Sequence, residues 1–169
     1  MKAAGVILAI TLALALQTTL ARFVIRGTVA VDLGLVVVVY VALTSGATTG
    51  LLSGALAGLA QDALSSGVIG IGGLAKTLVG FLAGVIGAQF NITQPIPRFV
   101  VFVAATALHA VVFIGLYVLL DLRQFATPYA AVASQAVGNA VVGVVAFQLV
   151  EFLPGMIERR RAQKARIRR

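Results

Sequence analysis

Five residues of this chain could do chemistry from within stretches that are otherwise apolar: Asp62, Lys76, His109, Gln135 and Asn139. A charge isolated at the centre of a bilayer costs about 3 kcal/mol, so an aspartate and a lysine in such surroundings need a partner or water. Asp62 and Lys76 are expected either to approach each other closely or to be solvated separately at the membrane edge. His109 falls near the middle of one apolar stretch and Asn139 near the middle of the next, so the two share a depth. Gln135, Asn139 and Gly143 are four residues apart and form a polar helical stripe that must face the interior or a partner helix. Hydrogen bonding between helices is one role for that stripe; contact with a substrate or a proton is the other.

Several chemistries are not supported. His109 has no second histidine or carboxylate at helical spacing, and Asp121 is about three turns away, so no metal site is expected. Cysteine is absent, which removes thiolate ligands and disulfides. Asp62 has no second intramembrane aspartate of the kind an aspartyl intramembrane protease uses, and no nucleophile motif is present. Gly70-Ile71-Gly72-Gly73 follows nothing that reads as a strand and so is not a phosphate-cradling loop. The residues predict no enzyme and no cofactor.

The elements that position these side chains follow from hydropathy. With 60% hydrophobic and 11% charged residues in 169 and a mean hydropathy of +1.07, the chain lies far from soluble composition. The expectation is an all-α membrane protein, a bundle of six transmembrane helices over about 3–21, 28–44, 47–61, 73–90, 99–120 and 128–150. The first stretch ends in no secretory cleavage signature and is long enough for a hydrocarbon core of roughly 30 Å, so it is retained as a span. Arg22, Arg26 and Gly27 close the first span, and Thr44-Ser45-Gly46 separates the second from the third. Ser65-Ser66-Gly67 with Gly70, Gly72 and Gly73 reads as a loop, Pro95 and Pro97 block helix continuation before the fifth span, and Asp121 to Arg123 with Pro128 precedes the sixth. The third span is short; it either crosses with little tilt or ends in a cavity beside the glycine-rich loop.

The formal net charge of +8 is concentrated at the C-terminus in Arg159, Arg160, Arg161, Lys164, Arg166, Arg168 and Arg169. Without interleaved aromatics this run does not read as a nucleic-acid site. It reads as a topology signal and an anionic-lipid contact, each charge contributing about 1 kcal/mol near the membrane surface. Residues 1–157 form the membrane domain and 158–169 a basic cytoplasmic tail in this reading. Placing both termini in the cytoplasm puts Lys2, Arg98 and the tail inside and only Arg22, Arg26 and Arg123 outside, as the bias of basic loops requires.

Glycine sets the packing faces. Gly46, Gly50, Gly54 and Gly58 recur every four residues, with Asp62 one turn on, and Gly72, Lys76, Gly80 and Gly84 repeat the pattern. Such stripes let helix backbones approach closely in lipid. They are expected to pack helices together or to receive a partner.

These motifs carry a resemblance. GLLSGALAGLAQDALSSG from Gly50 to Gly67, then Gly70, then LAKTLVGFLAG from Leu74 to Gly84, resemble the signature region of the MreD family of bacterial rod shape-determining membrane proteins. Leu16-Gln17-Thr18-Thr19-Leu20 and Val31-Asp32-Leu33 fit as well. The resemblance implies a protein of the inner membrane that works with the single-span scaffold MreC and, through it, with MreB, RodA and an elongation-specific penicillin-binding protein. It also implies a fold similar to the S-components of energy-coupling-factor transporters, where an AxxxA face on the first helix meets the coupling subunit; Ala9 and Ala13 have that spacing here.

Two functions stay open at this point. One is a non-enzymatic scaffold that binds the transmembrane and juxtamembrane region of MreC through small-residue helix faces and so helps control lateral peptidoglycan synthesis. The other is a small-molecule or lipid binder resembling an S-component, with a pocket lined by His109, Gln135 and Asn139. A pore is disfavoured, since the polar residues are too few to line a water path. The sequence leaves open whether the chain forms a homodimer.

Overall fold

Long apolar runs broken by glycine, proline and charge fold into helices. The computed structural model describes residues 3–23, 31–65, 68–90, 92–122 and 129–167, without the side chains of 20–23 and 153–167. Those residues form α1 (Ala3–Phe23), α2 (Leu33–Ser45), α3 (Ala47–Leu64), α4 (Ile71–Gln89), α5 (Pro95–Leu119) and α6 (Tyr129–Ile167). By length and composition α4, α5 and the Tyr129–Phe152 part of α6 can each cross a membrane, while Ala3–Thr19 of α1 and all of α2 are shorter apolar helices.

The shortest helix is the centre of the molecule. A run of valines, Val36 to Val39 and Val41, makes α2 apolar on every side, and a helix of that kind must be buried all round. It touches each of the other five helices, and Val38, Val39, Val41 and Ala42 have no exposed surface. One cluster joins Leu35, Val39 and Ala42 to Val79, Ala83, Phe102, Ala140 and Phe147; a second joins Val38 and Val41 to Val6, Ile10 and Leu14 of α1 and Ala57 of α3. Large apolar side chains such as Leu12, Leu56, Leu78, Val111 and Leu149 remain exposed on the outward faces, as suits a body solvated by lipid.

The glycine stripes meet each other. A Cβ on Gly50 would stand 2.9 Å from the Gly80 carbonyl carbon, one on Gly54 2.6 Å from that of Lys76, and one on Gly58 2.5 Å from the Gly73 Cα. Real Cβ atoms essentially never come within 3.0 Å of such atoms, so α3 and α4 lie backbone to backbone only because these side chains are missing. Gly80 faces Gly50 in return, and Gly84 seats against Gly46 and Ala47. Gly46 has a different duty: it caps α2 and starts α3 at φ +87, with nothing within 4 Å of a Cβ. It is a turn glycine.

Several boundaries differ from the sequence reading. Gly72 and Gly73 belong to α4, because Gly70 at φ 109 already turns the chain and serves as its N-cap. Pro95 and Pro97 do not lie ahead of the fifth helix but open it, since the first-turn N–H groups have no intrahelical acceptor to lose. α3 runs on to Leu64, and the α6 backbone stays helical through residue 158 to Ile167. Arg26, Ser66, Gly67, Arg123 and Pro128 lie outside the described residues, as do the side chains of Arg22, Arg159, Arg160, Arg161 and Lys164.

Candidate functional site

The polar side chains gather where α2 and α4 begin. Asp32 is the N-cap of α2, its Oδ1 accepting from the Leu35 N–H at 2.9 Å. Its Oδ2 accepts from Lys76 Nζ at 2.7 Å, and both side chains are almost fully buried. Lys76 Nζ also lies 3.3 Å from His109 Nε2 on α5. On the other flank, the Asp32 N–H donates to Asn139 Oδ1 at 2.8 Å, Asn139 Nδ2 donates to Thr106 Oγ1 at 3.1 Å, and Thr106 Oγ1 donates to the Phe102 carbonyl at 2.9 Å. One network therefore ties α2, α4, α5 and α6 together. Gln17 of α1 adds a longer contact, accepting from Gly34 N–H at 3.3 Å.

This arrangement corrects the pairing expected from the sequence. Asp62 and Lys76 are not partners, and neither is solvated at the edge, since both are buried. The glycine seam sets an antiparallel register with Gly50 opposite Gly80, Gly54 opposite Lys76 and Gly58 opposite Gly72. Its next step puts Asp62 level with the residues just before α4. There Asp62 Oδ2 accepts from the N–H groups of Gly70 at 2.8 Å and Gly73 at 3.1 Å. A carboxylate from one helix thus caps the next, satisfying donors that a helix start leaves unpaired.

His109 and Asn139 are members of one network, whereas Gln135 is half-buried and outside it. An apolar groove of about 430 Å³ runs along Ala55, Leu59, Ile71, Leu74 and Leu116; His109, Gln135 and Asn139 do not line it. His109 instead begins an aromatic column along α5, with Phe113 at 5.7 Å and Tyr117 4.9 Å beyond that. The Tyr117 hydroxyl accepts from the Val68 N–H at 3.3 Å. Gln61 Oε1 is buried without a partner among the described residues. Of the first-helix AxxxA pair, Ala13 is buried and Ala9 half-buried, so that face points into the bundle.

A second ionic contact closes the far end. Arg98, read from the sequence as a loop cation, lies in the first turn of α5 and is 4% exposed. Its guanidinium forms a two-pronged pair with Glu151 on α6, donating from Nη1 to Oε2 at 3.1 Å and from Nη2 to Oε1. Its Nε donates to the Ile92 carbonyl at 3.2 Å, and the plane sits 4.3 Å over the Phe147 ring.

Asp32 and Arg98 were missed as site residues, although a signal for each exists. An acidic residue placed immediately before an apolar run is an N-cap, and the intramembrane Lys76 was in need of a carboxylate. Arg98 has a counterpart in Glu151, a lone acid at the end of the sixth apolar run.

The networks bind helix to helix, and among the described residues no cluster of three His, Cys, Asp or Glu could hold a metal ion. Fold and site define a helical protein of the membrane type whose buried polar groups are structural ties. The chain matches the family model of the rod shape-determining protein MreD over residues 2–156 and belongs to that family, whose role is in setting rod shape. No curated protein and no solved structure matches it.

Proposed function

We propose that this chain is a non-enzymatic scaffold of the cell-elongation machinery. It crosses the bacterial inner membrane six times with both ends in the cytoplasm, binds the transmembrane and juxtamembrane region of MreC, and helps control lateral peptidoglycan synthesis. MreB, RodA and an elongation-specific penicillin-binding protein are reached through that partner. The observation that carries this reading is the family match over nearly the whole chain. Physical support comes from the way the buried polar groups are used. Lys76, Asp32, Asn139 and Arg98 are engaged within the fold, which makes a stiff body for other chains to dock against rather than a reaction chamber.

The glycines of α3 and α4 are occupied by each other, so the partner meets an outward face and not the seam. The basic residues Arg159, Arg160, Arg161 and Lys164 contact anionic lipid at the inner surface in this reading. Purification of the tagged chain from membranes after mild detergent extraction tests it. MreC should remain bound; a folded chain recovered repeatedly without MreC overturns the proposal.

A further inference from the structure

We propose that His109 makes the contact between α4 and α5 an acid-sensitive latch, closed only while the imidazole is neutral with its lone pair on Nε2. The argument starts from what Lys76 can offer. An ammonium has three N–H donors and no acceptor. One N–H is committed to Asp32 Oδ2 at 2.7 Å, and the same nitrogen lies 3.3 Å from His109 Nε2. That ring nitrogen must then be the acceptor, which places the ring proton on Nδ1.

A proton added to Nε2 reverses this contact. It converts the acceptor into a donor, sets N–H against N–H, and puts two positive charges at the same separation in a site that excludes water. Among the described residues, few groups face the ring from neighbouring elements. Lys76 comes from α4, Asp32 from the start of α2 and Asp62 from the end of α3, and α6 presents the neutral Asn139 to the same network. The Asp32 carboxylate favours an imidazolium, but its two oxygens already accept from Lys76 Nζ and the Leu35 N–H, and the Asp32 backbone N–H donates to Asn139 Oδ1. Phe113, stacked on the ring at 5.7 Å, offsets part of the repulsion through its π face. It cannot replace the lost hydrogen bond.

The consequence reaches the α3–α4 connection. His109, Phe113 and Tyr117 form one column on α5, and its last member holds the Val68 N–H. Displacing the ring at the bottom of the column loosens α5 against α4 and against that connection together. Acidification therefore acts at the end of the bundle that the proposed topology places outside the cytoplasm. Neutral pH restores the closed state.

The chain has a single histidine, so ¹⁵N labelling reports this ring alone, provided the purification tag contains none. In lipid nanodiscs at about pH 7.5 the full chain should show the Nδ1–H tautomer. Between about pH 7.5 and about pH 4.5 the wild type should lose roughly 5 °C more in Tm than His109→Gln, whose amide oxygen accepts from Lys76 but takes no proton. Asp32 and Asp62 are common to both proteins, so the difference belongs to the ring. Equal pH dependence of the two, or an Nε2–H tautomer at neutral pH, overturns the proposal. If His109→Gln does not fold, the wild-type spectrum decides, because an Nε2–H ring cannot form this latch.

Discussion

The Lys76 ammonium on α4 and the Asp32 carboxylate at the start of α2 stand 2.7 Å apart, joined across 44 positions of sequence. Each is a charge that lipid would penalise alone, and each is stable in place because the other is there. The pair also holds the register of three helices, since the Asp32 backbone N–H is gripped by Asn139 of α6. Buried ion pairs add little net stability over apolar replacements, but breaking one side leaves an uncompensated charge.

Lys76→Met should accordingly destabilise the protein by about 3–5 kcal/mol. Adding Asp32→Asn, which keeps an N-cap acceptor for Leu35, should recover most of that loss. Unfolding of the two single variants and the double variant in detergent gives the coupling between them. A double variant no more stable than the worse single one would mean that the two charges do not compensate each other.

The glycine seam makes a sharper comparison. Gly54→Ala puts a methyl group into the backbone of α4 at Lys76 and Thr77, and rigid backbone cannot yield as a side chain can. The loss should be about 1–3 kcal/mol, as for overpacking elsewhere. Gly115→Ala is the control, because that glycine lies on α5 with nothing within 4 Å of a new Cβ. It should be neutral or stabilising by up to about 1 kcal/mol from helix propensity. Similar losses at both positions would show that close approach is not what the seam glycines provide.

That contrast shows what was legible in the sequence. Four-residue spacing identified the glycines from Gly50 to Gly58 and from Gly72 to Gly84 as a close-packing stripe on each helix, and hydropathy located the helices that carry them. Spacing could not say how far one stripe slides along the other. This register decides that Asp62 caps α4 while Lys76 turns to α2 and α5, so a pairing inferred from matching stripes went to the wrong carboxylate. Arg98 was misplaced for a related reason. Beside two prolines it reads as a loop residue, yet proline is at home in a first helical turn, and the Phe147 face and Glu151 that receive the guanidinium lie on a helix about 50 residues away.

At the Arg98 end the two partners should not be equivalent. Glu151 has a side chain 56% exposed, against 5% for Arg98, so water can take over much of what Glu151 provides. Glu151→Gln should cost about 0.5–1 kcal/mol, an effect that weakens as salt is raised. Arg98→Ala should cost more, because it removes the contact with Phe147 and the bond to the Ile92 carbonyl and leaves space in the core. Thermal unfolding at low and high salt separates the two. A larger loss for Glu151→Gln would mean that the ion pair, and not the packing of the guanidinium, fixes α5 against α6.

Topology can be settled on the same chain because it contains no cysteine. Ser65 and Thr93 are exposed and flank α4, which is long and apolar enough to cross a membrane. If α4 crosses, single cysteines at the two positions must face opposite compartments. With both termini in the cytoplasm, Ser65→Cys should react with a membrane-impermeant maleimide on intact spheroplasts, and Thr93→Cys only after permeabilisation. The reverse pattern inverts the proposed orientation and moves the polar network to the cytoplasmic half. Labelling of both from one side would mean that α4 does not cross, and the six-span topology would fail with it, because α3 and α4 are fixed to each other by the seam and must share one placement in the bilayer.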